Sequence, residues 1–276
     1  RRVLLALARE RSWKRSERKP ALILGNALTG ARFAQGIQKA LASRGVALDD
    51  QVAIYSFWGS HSAMALPFLP ARCEKFFRLH GFDLYEERGN PPPLRASLFA
   101  TADKVLPISE HGANYLSESY PGLLDSEKVE VVRLGTADHG LTQARRRGEA
   151  DGPIEIVSCS SVSSGKRVAD ILPAVLELSQ DRPVRWTHCG DGPLLADLRR
   201  EVDAALSEHP NLQVELPGYL PNAELMALYR STPFDVFVSV SDAEGVPVSI
   251  MEALSFDVPV VATNAGGTGE LVGEEK

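Results

Sequence analysis

Cysteine is scarce in this chain of 276 residues: Cys73, Cys159 and Cys189 stand far apart and form no CxxC pair. A disulfide framework and a zinc knuckle are thereby excluded as the basis of the fold, and a reducing, cytoplasmic setting fits. Long hydrophobic runs are lacking too. None reaches the roughly 18 to 20 residues of a membrane span, and no signal-peptide core precedes the fold, so the expectation is a protein that is soluble or peripheral to a membrane. Positive charge is not in excess: 30 Lys and Arg against 36 Asp and Glu give a net charge of -6, which argues against a nucleic-acid partner. Two nucleotide signatures are also missing. GNALTG at Gly25 to Gly30 has the glycines of a P-loop, but Ala31 and Arg32 follow where Lys and Ser or Thr belong. No strand-following GxGxxG with a downstream acid appears, which weakens a dehydrogenase reading.

What is present is a 44% hydrophobic, 24% charged composition, enough to bury a real core, in a length suited to two domains. The second half alternates strand-like runs (IEIVSCS, VRWTHCG, LQVELPG, FDVFVSV, VPVVATN) with helical stretches (KRVADILPAVLELSQ, LLADLRREVDAALSE, NAELMALYR, VSIMEALSF). Strand-like runs apolar on both faces indicate a parallel sheet covered by helices, an α/β fold. The first half repeats the pattern more weakly, from the helical ARFAQGIQKALASRG through VAIYSF, SAMALPFL, KFFRLH, PLRASLFAT, KVLPIS and HGANYLSES to the strand-like KVEVVRLG. The polar stretch TADHGLTQARRRGEADGP reads as a linker, with a boundary near Gly148: residues 1–148 form one Rossmann-like domain and 149–276 another. Ligands of open α/β sheets bind at the C-terminal ends of the strands, so a cleft facing both sheets is the expected site.

The segment SDAEGVPVSIMEAL places Glu244 and Glu252 around Gly245, Val246 and Pro247. A helix starting near Pro247 offers free N–H groups to an anion, and carboxylates accept hydrogen bonds from sugar hydroxyls. A nucleotide sugar would use diphosphate and hydroxyl sites together. A plain reading stands beside it, because Ser241-x-x-Glu244 and Ser249-x-x-Glu252 each fit a helix capping box. The basic, leucine-bearing start RRVLLALARERSWKRSERK is read either as an amphipathic helix on an anionic membrane surface or as a solvated basic helix.

The run DVFVSVSDAEGVPVSIMEALSFDVPVVATNAGGTGELV, with FFRLHGFDLYEERGNPPPLR, ADKVLPISEHGANYLSESYP and VVRLGT upstream, resembles family four of the retaining nucleotide-sugar glycosyltransferases. These have the GT-B fold of two Rossmann-like domains, which makes 1–148 an incomplete acceptor-side domain and 149–276 the nucleotide-sugar-binding one, and the upstream set looks like the subgroup making bacterial capsular, exopolysaccharide or lipopolysaccharide sugars. The resemblance runs from about residue 50 to the end. It makes Glu252 the ribose ligand and Glu244 the donor-sugar contact, with Gly245, Val246 and Pro247 lending backbone N–H groups to sugar and phosphate. His80 corresponds to a cleft histidine near the anomeric centre, and Lys166 to the lysine that neutralises the departing diphosphate. Gly190, Asp191 and Gly192 match a loop beside the nucleotide, and Gly218, Tyr219 and Leu220 the segment that holds the base. Two positions depart from the pattern: Ser161 stands where many members have Arg, with Arg167 a candidate to supply the missing charge, and Asp257 stands where Gly is common.

The resemblance therefore implies transfer of a sugar, with retention and without metal or other cofactor, from a nucleoside-diphosphate sugar to a glycan or lipid-linked acceptor in the cytoplasm or at the inner face of the plasma membrane. It also implies an incomplete chain, missing the first βα unit and the C-terminal helices. The alternatives left open are a non-catalytic nucleotide-sugar-binding module and a phosphorylase-like or epimerase-like enzyme of the same fold.

Overall fold

The computed structural model describes residues 2–12, 20–86, 94–139 and 152–273. The chain divides into two compact units, Arg1–Arg133 and Leu134–Lys276. The boundary expected near Gly148 falls outside the described residues.

In the N-terminal unit, helices α1 (Arg2–Ser12) and α2 (Pro20–Ala42) precede a three-stranded parallel sheet of β1 (Ala53–Ser56), β2 (Glu74–Leu79) and β3 (Lys104–Pro107), in that order. Between the strands lie a 3-10 segment, His61–Phe68, α3 (Gly81–Leu84) and α4 (Arg95–Thr101), and α5 (Glu110–Ser119) follows β3. The stretch SAMALPFL forms a 3-10 run with Pro67 inside it, because proline supplies no N–H for an α-helical bond. GNALTG is part of α2, and a Cβ on Gly30 would lie 2.2 Å from the Met64 carbonyl. Its second glycine thus serves close packing of α2 on the 3-10 run. Helix α1 is docked through Ala6 and through Glu10, whose buried carboxylate accepts a 2.8 Å bond from the Ser97 N–H, while Leu4 and Leu5 stay exposed.

KVEVVRLG does not become a strand. It makes one bridge, Val105 to Val129, and two backbone bonds, Glu130 N–H to Val105 O and Val132 N–H to Pro107 O. Pro107 accepts on that side but has no N–H to give back, so the ladder stops there.

The C-terminal unit is a five-stranded, wholly parallel sheet in the order β6-β5-β4-β7-β8. Its strands are β4 (Ile154–Cys159), β5 (Val184–Cys189), β6 (Leu212–Gly218), β7 (Val236–Ser239) and β8 (Val260–Ala262). Helices α6 (Ile171–Asp181), α7 (Leu195–Leu206), α8 (Asn222–Ser231) and α9 (Val248–Leu254) connect them, and α10 (Gly269–Val272) follows β8. Two buried clusters cover the sheet, one around Ile156, Val175, Trp186 and Leu198, the other around Val157, Tyr229, Phe237 and Ile250. Neighbouring residues of β4 thus divide between the two faces, as period-2 alternation requires. The chain order of the strands reverses between β4 and β7, the switch point where ligands of such sheets bind. After α9, Asp257 takes the left-handed conformation with φ 57°, a geometry Asp tolerates better than most residues.

Phe237 is fully buried on β7, so Phe237→Ala is expected to cost about 3–5 kcal/mol, read from urea unfolding of the chain.

Candidate functional site

The loops at the C-terminal ends of β4, β5 and β6 are laced together by backbone bonds. Ser160 N–H donates to Cys189 O (3.2 Å), Val162 N–H to Asp191 O (3.0 Å) and Gly190 N–H to Gly218 O (2.8 Å). A Cβ on Gly190 would stand 1.8 Å from the Ser160 carbonyl, so only glycine lets these loops approach so closely. Beneath them, Ser158 Oγ lies 2.8 Å from His188 Nδ1 and accepts from Trp186 Nε1 (2.9 Å). Burial pushes His188 down to about 4, which keeps this internal support neutral. Between the loops opens a pocket of about 230 Å³ lined by Ser161, Gly190, Asp191, Tyr219 and Leu220, with Cys159, Ser160, Cys189 and Leu225. Five sequence-derived candidates thus share one cavity.

A second cluster forms where β4 and β7 adjoin. Lys166 ends a 3-10 turn, Ser164–Lys166, and does not begin α6 as the sequence pattern suggested. The break comes at Arg167, which is left-handed with φ 50°. Its guanidinium is held by Asp170 and, at 2.8 Å, by Asp242 from the loop after β7, and Asp242 N–H donates to Gly165 O at 3.0 Å. With two carboxylates on it, Arg167 fastens one loop to the other, and in this state its charge is already neutralised. Beside this fastening, Lys166 Nζ meets Glu244 Oε1 at 2.5 Å, with the Glu244 side chain 11% exposed and Lys166 27%. Glu244 is fixed from behind: a Cβ on Gly266, at φ +56°, would be 1.9 Å from its carbonyl, and Gly267 N–H donates to Gly245 O at 2.8 Å.

Neither capping box forms. No helix starts between Ser241 and Glu244, and α9 is capped at Pro247, outside the helix, with no side-chain bond, so Ser249 lies within it. Pro247 therefore precedes the first turn and does not sit in it. Glu252 is half-buried on α9, and its Oε1 accepts a 2.8 Å bond from Asn222 Nδ2 at the start of α8. Burial raises its carboxyl above the usual range, against the pull of that bond. Burial first, and the charge of Glu252 second, raise the thiol of Cys159, a wall of the pocket. The two glutamates thus serve different neighbours: Glu244 the β4–β7 crossing, Glu252 the pocket side.

His80 belongs to the N-terminal unit. It is buried beside the rings of Phe57 and Trp58, with ring centroids 4.9 and 4.2 Å away. Burial first, and the charge of Arg78 second, push its imidazole down to about 4. Asp83 holds the backbone there, accepting from His80 N–H (2.6 Å) and Gly59 N–H (2.7 Å), and burial raises its carboxyl to about 6. Sequence reading missed Asp83, Asn222, Asp242 and Gly266. Only Asn222, at an expected helix start, and Gly266, in a Gly-Gly pair, carried any local signal.

Two outcomes follow. The His80 ring, followed by nuclear magnetic resonance, is expected to stay neutral until the pH falls to about 4, and a midpoint near its ordinary value would contradict the burial described. Gly266→Ala is expected to cost about 1–3 kcal/mol in thermal unfolding, because alanine is strained at that φ and meets the Glu244 carbonyl.

Residues 142–276 match the family described as "Glycosyl transferases group 1". Among curated proteins, the chain is 30% identical over 204 residues to the putative colanic acid biosynthesis glycosyltransferase WcaL of Escherichia coli, covering 71% of this chain and 48% of that protein. It is 29% identical over 183 residues to the amylovoran biosynthesis glycosyltransferase AmsK of Erwinia amylovora, covering 63% and 42%. The chain thus spans about half the length of the curated relatives it matches. In fold it matches HepE of Anabaena, solved in complex with UDP, at TM-score 0.65 and 20% identity over 87% of this chain and 65% of that one. It also matches TarM of S. aureus at TM-score 0.63 and 17% identity, over 88% and 46%. The match to residues 142–276 falls on the unit that carries the pocket and the Lys166–Glu244 pair; that unit carries a domain of the glycosyl transferases group 1 family, and the fold of the chain is GT-B.

Proposed function

We propose that the C-terminal unit binds a nucleoside-diphosphate sugar, and that the protein transfers the sugar, with retention of configuration, to a glycan or lipid-linked saccharide in exopolysaccharide synthesis. The observation that carries this is the Lys166–Glu244 pair, a cation and a carboxylate held together at the switch point of a parallel sheet. The named roles of WcaL and AmsK in colanic acid and amylovoran synthesis point to the same class of product.

The pocket is too small for a whole nucleotide sugar and suits one end of it. In this reading the base lies against Tyr219 and Leu220, and Glu252 accepts from the ribose hydroxyls. The diphosphate reaches Lys166, with Gly245 and Val246 offering backbone N–H groups, and Glu244 accepts from a hydroxyl of the donor sugar. As the bond from the anomeric carbon to the diphosphate oxygen breaks, the acceptor oxygen bonds that carbon from the same face, and its proton leaves with the diphosphate. Lys166 stabilises the growing negative charge, a task that needs a fixed cation rather than a protein nucleophile; neither metal nor other cofactor enters the proposed step. Arg167 acts here by fixing the Lys166 turn. The exposed Leu4, Leu5 and Leu22 of α1 and α2 favour work at a membrane surface.

Calorimetric titration with UDP and GDP tests this reading. One nucleotide is expected to bind, with Glu252→Ala and Lys166→Ala each weakening it by about tenfold or more, the loss of one charge-assisted bond. A folded chain that binds neither nucleotide would end the proposal.

A further inference from the structure

The two cysteines of the C-terminal unit stand side by side. Cys159 ends β4, Cys189 ends β5, and the parallel register pairs them directly. Residues paired in a parallel ladder point to the same face of the sheet. Here that face holds the cluster of Val157, Cys189, Tyr229 and Phe237, against which Cys159 packs. Neighbouring strands lie about 4.8 Å apart, inside the roughly 4.4 to 6.8 Å that separates the Cα atoms of a disulfide. Both residues are free thiols, and both line the pocket of about 230 Å³. Tyr229, buried in the same cluster, has a hydroxyl with no hydrogen-bond partner among the described residues, which an oxygen arriving there would satisfy.

What can react with the pair is narrowed by its surroundings. A metal ion finds too few ligands, since no group of three or more His, Cys, Asp or Glu suited to one forms among the described residues. A bulky disulfide would have to bring its sulfur to the pocket wall, whereas hydrogen peroxide is scarcely larger than water. Burial holds both thiols up: Cys159 at about 11, with the charge of Glu252 adding to it, and Cys189 at about 12, with Cys159 and Glu215 adding. Attack therefore begins at Cys159, the less raised and the less buried of the two, and quickens as pH rises, because thiolate is the nucleophile.

We propose that Cys159 and Cys189 are a modification site in the pocket wall, a dithiol that hydrogen peroxide joins when the pocket is empty and that a bound nucleotide shields. The Cys159 thiol gives its proton to water, and its sulfur attacks one oxygen of the peroxide. The O–O bond breaks, an S–O bond forms, and the released hydroxide takes up a proton and leaves as water. The Cys189 sulfur then attacks the sulfur of the Cys159 sulfenic acid. An S–S bond forms, the S–O bond breaks, and the hydroxyl leaves as a second water with the Cys189 proton. Two thiols lose two electrons, and one peroxide gains them. The shielding rests on the nucleotide site proposed above; the bridge rests on the strand register and the pocket.

The test is peptide mapping of the reduced chain after treatment with hydrogen peroxide, digested without reductant and weighed by mass spectrometry. A peptide joining Cys159 to Cys189, lighter by two hydrogens, is expected, with Cys73, buried in the other unit, left as a thiol. Its formation should quicken about tenfold per unit of pH between roughly 8 and 9, as the thiolate fraction does below the raised midpoint of Cys159. In Cys189→Ala, dimedone should label Cys159 as the sulfenic acid and no bridge should form, while Cys73→Ser should bridge as the parent does. Whichever of UDP and GDP binds by calorimetry should, at about ten times its Kd, slow bridging about tenfold. The bridge is read in the unaltered chain, so the result does not depend on how either variant folds. A folded chain that yields no joined peptide, or that joins Cys73 in place of either partner, overturns the dithiol. An unchanged rate of bridging with a nucleotide bound overturns the shielding. Failure of both nucleotides to bind, with the joined peptide present, counts against the transferase reading alone.

Discussion

The ion pair between Lys166 and Glu244 is the contact around which the C-terminal unit is arranged. Neither residue reaches the other by local structure, since they stand 78 positions apart in the chain. They meet because β4 and β7 are neighbours in a parallel sheet and because Arg167, held by Asp170 and Asp242, bends the chain left-handed just after Lys166. A carboxylate as buried as Glu244 needs a cation nearby, and Gly266 and Gly267 close the space behind its backbone. In the proposed function the same pair answers the diphosphate. An incoming phosphate competes with Glu244 for the ammonium and leaves the carboxylate able to accept from a sugar hydroxyl.

The neighbouring pocket follows a different logic. Its walls are turns whose backbone groups bond one another across β4, β5 and β6, and its shape rests on the neutral Ser158–His188–Trp186 group below. Glu252, on α9 and held by Asn222, does not line it, but its charge acts on Cys159 in the pocket wall. The ion pair and the pocket thus lie at the same, C-terminal end of the sheet, and in the proposed function a nucleotide sugar uses both.

Much of the fold was legible in the sequence because apolar alternation is a local signal: every strand of the C-terminal sheet lies within a run the pattern marks. Asp257 was legible too, since a residue tolerant of left-handed backbone follows a helix there. What escaped were features decided by partners distant in the chain. Lys166 looked like a helix start, but Asp242 pulls Arg167 out of helical geometry. Ser249 looked like a cap, but Pro247 takes that place. KVEVVRLG looked like a strand, but its neighbour Pro107 cannot return a hydrogen bond. Of the candidate residues, Ser161, Gly190, Asp191, Tyr219 and Leu220 come together in the pocket and Lys166 joins Glu244, whereas Arg167 turns to acidic partners and His80 lies in the other unit.

The most direct test of this account is a crystal structure of the chain grown with the nucleoside diphosphate that binds it, UDP or GDP. The account predicts the β-phosphate on Lys166 Nζ, with the Lys166–Glu244 contact lengthened from 2.5 Å and the ribose hydroxyls on Glu252. A nucleotide bound elsewhere, with that pair unchanged, would contradict it.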